Sequence, residues 1–139
     1  MTTHYHALVW TDHRLAKVFH FNEEANETAL VNSTHPGAHL HHKANSGDSG
    51  HAALDKEFLE RITREVAHAG AILIVGPGNA KTELITHLRK AHPQIAAKVS
   101  AVETVDHPTD GELLAHGRKF FRADDRMRPQ VATDRTLRG

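Results

Sequence analysis

"AILIVGPGNAKTEL", residues 71–84, is the stretch on which the fold turns. Five consecutive apolar residues with no polar alternation are what a strand buried on both faces requires. A Gly-Pro-Gly turn stops that run, and Leu84, Ile85 and Leu88 then recur at helical spacing. Strand, tight turn and helix make half of a βαβ unit. A glycine-rich turn ahead of a Lys-Thr pair also raises the question of a phosphate cradle. A Walker loop needs glycine immediately before the lysine and again five residues before that. Those positions hold Ala80 and Val75, Pro77 withdraws an amide donor, and the third glycine of a dinucleotide fingerprint is missing. The turn therefore reads as structural, with glycine for unusual dihedrals and Asn79 as helix cap. No nucleotide is expected, although Lys81 beside a helix N-terminus is a candidate contact for a phosphate of an RNA backbone.

The neighbouring segments extend the unit in both directions. Upstream, Leu54, Phe58, Ile62 and Val66 recur every four residues, with Asp55, Lys56, Glu60, Arg61 and Arg64 mostly on the other side of a helix that Gly70 stops. Downstream, residues 97–105 read as a strand. Thr109 and Glu112 form a capping box, and the helix it opens is expected to bury Leu113, Leu114 and Phe120, with Phe121 a further candidate. The first third reads as three strands, 4–10, 14–21 and 28–34, in an antiparallel meander. The order β-β-β-α-β-α-β-α predicts an α/β fold: a single domain with a ribonuclease-H-like five-stranded mixed sheet and helices on both faces. The domain is expected to span residues 1–122, with a long histidine-rich loop at 35–50 and a polar, basic tail at 123–139.

Composition narrows the function. The 139 residues carry 17 basic and 17 acidic side chains, so overall charge points to neither nucleic acid nor membrane, and any cationic surface must come from local arrangement; DNA is not an expected partner. The absence of cysteine excludes disulfides and thiolate chemistry. No apolar run reaches the ~18 residues of a membrane span. The N-terminal residues lack the pattern of a signal peptide, and the expected location is cytoplasmic. Histidine is the exception, at fourteen residues, five of which fall within 35–51.

"LIVGPGNAKTEL" (73–84), "DHPTDGELLAHGRKFF" (106–121) and "WTDHRLAKVFHF" (10–21) together resemble the central domain of the eukaryotic and archaeal peptide-chain release factors and of Pelota. The resemblance spans roughly residues 5 to 121 and implies a ribosome or ribosomal RNA as partner. In release factors, the connection between the third strand and the first helix carries a Gly-Gly-Gln that places the hydrolytic water. The matching segment here, "HPGAHLHHKANSGDSGHAAL" (35–54), has none, so peptidyl-tRNA hydrolysis is not expected. Pelota, in the same resemblance, lacks that motif and still works on ribosomes. The expectation is a non-catalytic RNA-associated protein without a cofactor. Its contacts would be His39, His41, His42 and Lys43 of the loop, Lys81, and Arg118, Lys119 and Arg122 of the last helix. A competing reading, from a different class, is a small metal-dependent hydrolase or nuclease. In it, His39, His41, His42 and His51 would hold zinc or another divalent metal.

Overall fold

The computed structural model describes residues 5–33 and 55–127, with side chains described as far as Ala123. Strands β1 (His6–Thr11), β2 (Leu15–Phe21) and β3 (Asn26–Asn32) form the meander. Helix α1 (Lys56–Val66) leads to β4 (Ala71–Gly76), and α2 (Ala80–Ala91) with the single turn α3 (Pro93–Ala96) leads to β5 (Val99–Thr104). Helix α4 (Asp110–Met127) closes the order. It runs past residue 122, where the sequence placed the end of the domain. The sheet order is β3-β2-β1-β4-β5, with β2 antiparallel to β1 and β3, and β4 parallel to both β1 and β5. This is the five-stranded mixed sheet that the order of elements predicts.

The strand period of two sends alternate residues to two cores. Ala7, Val9, Ile72 and Ile74 face α1, α2 and α3, whose Phe58, Ile62, Leu84, Leu88 and Ile95 complete that layer. Leu8, Trp10, Leu73 and Val75 face the opposite way, onto Leu113 and Phe121 of α4. Both layers exist because β1 and β4 are apolar on both faces, the property first visible in residues 71–75. The Trp10 indole N–H, buried within this packing, donates to the Asp106 carbonyl at 2.9 Å.

Local chemistry sets the turns. The Asp12 carboxylate accepts from the amides of Arg14 (2.8 Å) and Leu15 (3.0 Å), which folds β1 back onto β2. Thr109 and Glu112 make the reciprocal capping bonds at 2.8 and 3.1 Å.

Three details differ from the sequence reading. Phe121 is fully buried and Phe120 only partly, because Leu113, Gly117 and Phe121 share one helix face at four-residue intervals. Asn79 stands at the N-cap of α2, but its side chain makes no capping bond, since its backbone is helical (φ −89°, ψ −7°) rather than extended. Finally, neither Gly76 nor Gly78 has a left-handed φ. Gly76 is needed for space: a Cβ there would lie 2.3 Å from the Thr11 carbonyl oxygen.

Candidate functional site

The strand directions bring several connections to one edge of the sheet. β1, β3, β4 and β5 are mutually parallel, so Thr11, Asn32, Gly76 and Thr104 all end there. The segment that joins β3 to α1 is anchored at the same edge. The Ser33 amide donates to the Arg14 carbonyl at 2.9 Å, and the Asp55 carboxylate caps α1 through the Glu57 amide at 3.2 Å. Two strands separate β3 from β4, so this anchor and the Gly-Pro-Gly turn stand roughly 14 Å apart. His39, His41, His42, Lys43 and His51 lie between the anchors, outside the described residues.

The glycine turn is closed on itself. The Lys81 ammonium donates to the Gly78 carbonyl, across the opening turn of α2. Glu83 puts a carboxylate in that same first turn, 3.3 Å from His13 of the β1–β2 connection. A negative side chain thus stands where the helix dipole favours an anion, and the lysine is turned toward the chain. Of the proposed cations that lie among the described residues, Lys81 alone shares this edge.

Arg118 and Arg122 belong to the opposite edge. The Arg118 guanidinium donates to the carbonyls of Asn22 (3.0 Å) and Ala25 (3.2 Å), and Arg122 meets Glu23 at 3.4 Å, so both clasp the β2–β3 turn. Beside them, Tyr5, His6 and Phe121 help to line a shallow cavity of about 210 Å³. Lys119 points to solvent. Arg118→Ala is expected to lower stability by about 1 kcal/mol, the net worth of a partly exposed pair of hydrogen bonds. Urea titration checks this, and an unchanged midpoint would mean that the clasp is dispensable.

A third arrangement was not foreseen. Glu60 of α1 meets His87 of α2 and His92 at the α2–α3 junction, with its Oε2 2.6 Å from one Nε2 and 2.7 Å from the other. The hydrogen bond from His92, then that from His87 and the charge on both rings, hold the Glu60 carboxyl below its ordinary range against an opposing effect of burial. Five residues along a continuous helix would set His87 and His92 roughly 140° apart. Pro93 breaks the helix, His92 takes an extended φ of −140°, and the two rings come to 5.6 Å. The one sequence signal for this was a pair of histidines bracketing a helix end that a proline fixes; its acidic partner lies in another element. Among the described residues this is the one group of three side chains able to converge on a metal ion.

No protein-family model and no curated protein match the chain. Solved structures do. Pelota of Archaeoglobus fulgidus aligns over 95% of this chain at 13% identity and a TM-score of 0.55. The Thermoplasma acidophilum Pelota protein aligns over 93% at 16% identity and 0.52, and the archaeal translation termination factor aRF1 over 95% at 12% identity and 0.53. The chain spans about two-fifths of those structures, 40%, 41% and 42% of their respective lengths. The fold is therefore that of a release-factor- and Pelota-like domain. Among the described residues no helix is long and apolar enough to cross a membrane.

Proposed function

We propose that this chain is a non-catalytic ribosome-associated domain, acting in translation, rescue or hibernation. Carrying the proposal is the agreement of its fold with Pelota and aRF1 over nearly its whole length, at an identity low enough that the shared feature is the scaffold. The sequence adds that the β3–α1 connection, the place of Gly-Gly-Gln in the resemblance to release factors, holds histidines and a lysine instead. On this reading the sheet edge presents the connection to ribosomal RNA, with Lys43, His39, His41 and His42 against phosphates. Lys119 is a second contact at the far edge. Arg118 and Arg122 act mainly by holding the β2–β3 turn.

Sedimentation of the purified chain with ribosomes across about 50 to 200 mM salt tests the proposal. Co-pelleting is expected to fall steeply with salt, and replacing His39, His41 and His42 with alanine should reduce it at every salt. Absence of co-pelleting even at the lowest salt would defeat the proposal. Full binding by the triple variant would remove the histidines from the interface.

A further inference from the structure

We propose that Glu60, His87 and His92 form a binding site for a first-row divalent transition metal, with zinc the ion that fits best. The site uses no residue of the histidine-rich connection and does not depend on ribosome binding.

Three observations carry it. The donors come from three places in the chain, α1, α2 and the α2–α3 junction, yet their ligand atoms all lie within 4.8 Å of one another. Both Nε2 atoms are aimed at a single carboxylate oxygen rather than at separate partners. Elsewhere, His107 with Asp106 and His116 with Glu103 each bring one ring to one acid. His87 is held within the packing, with 9% of its side chain exposed, while Glu60 (31%) and His92 (27%) leave a path to solvent.

The chemistry selects the ion. Two imidazoles and one carboxylate suit zinc, cobalt or nickel far better than magnesium or calcium, which prefer all-oxygen shells. Zinc bonds to nitrogen and oxygen of ~2.0–2.2 Å place neighbouring tetrahedral ligands roughly 3.3 Å apart. The Glu60–histidine separations of 2.6 and 2.7 Å therefore need to open by only about 0.6–0.7 Å, within reach of a carboxylate rotation. Three protein ligands leave a fourth position for water on the open side. The bound ion would fasten α1 to the end of α2, so metal binding should add to the stability of the fold.

The test uses the untagged full chain, stripped with a chelator and titrated calorimetrically with zinc. Beside it run Glu60→Gln, His87→Gln, His92→Asn and a loop variant carrying His39→Asn, His41→Asn, His42→Asn and His51→Asn. The expected result is a zinc affinity that the loop variant keeps. Each site substitution should weaken it by at least the roughly 10–100-fold seen when even an outer partner of a metal ligand is lost. Zinc should raise the melting temperature of the wild type and the loop variant, and cobalt should give them the visible spectrum of a tetrahedral site. His87 is mostly enclosed, so its variant is the one whose folding needs checking. His92→Asn, outside α2 and partly exposed, carries the test if circular dichroism shows that His87→Gln has unfolded. Failure of the wild type to bind zinc overturns the site, as does binding that disappears in the loop variant and persists in His92→Asn.

Discussion

Replacing Phe121 with alanine is expected to lower the unfolding free energy by about 3–5 kcal/mol, the usual cost of emptying a buried aromatic position. The ring is 2% exposed and closes the core between α4 and the sheet. It lies over the His6 ring with centroids 4.4 Å apart, 6.0 Å from Phe21, and edge-on to Phe120 at 4.9 Å. Collapse into the space would be limited, since Gly117 already brings the helix backbone close to the sheet, where even a Cβ would meet Phe21 at 2.9 Å and Leu8 at 3.1 Å. The adjacent Phe120→Ala removes a ring of the same size from a partly buried position, and a smaller loss follows. Urea unfolding of the two variants at equal m-value makes the comparison. The Phe121 variant should also melt on the order of 10 °C below the wild type. Equal losses at the two positions would mean that the helix phase assigned to α4 is wrong.

That phase also shows how far the sequence could be read. One interaction closed within a few residues was legible: Thr109 with Glu112 caps α4 within a single turn. The double-sided burial of β4 was legible too, because it demands an unbroken apolar run. What escaped depends on partners supplied by the tertiary fold. Glu60 lies 27 and 32 residues from its histidines and looks, along α1, like any solvated acid. Arg118 reads as a free cation until the turn 93 to 96 residues earlier is packed against it. Periodicity tells which face of a helix is polar; it does not tell which polar side chains meet across an interface. The same limit applies to function. The sequence holds no Gly-Gly-Gln, and residues 34–54 lie outside the described structure.

Gly76→Ala and Gly78→Ala, two residues apart in one turn, are expected to move stability in opposite directions. At Gly76 the new methyl would sit 2.3 Å from the Thr11 carbonyl oxygen and 3.4 Å from its carbon. Both are backbone atoms of β1, which cannot swing aside as a side chain could. β1 and β4 are the parallel pair at the centre of the sheet, in register from His6 against Ala71 to Trp10 against Val75. Relief therefore requires one buried strand to shift against the other, at a cost of about 2–3 kcal/mol or more. At Gly78 an added Cβ meets nothing within 4 Å and the backbone is not left-handed, so alanine should stabilise by about 0.4–1 kcal/mol through the unfolded chain. The contrast bears on function as well as on folding. Were the turn a phosphate cradle, both glycines would serve the approach of a ligand, and neither substitution would greatly disturb the ligand-free protein. A large loss confined to Gly76 in denaturant titrations without nucleotide identifies the first glycine as the point where two strands touch. A neutral Gly76→Ala would return the turn to consideration as a binding loop.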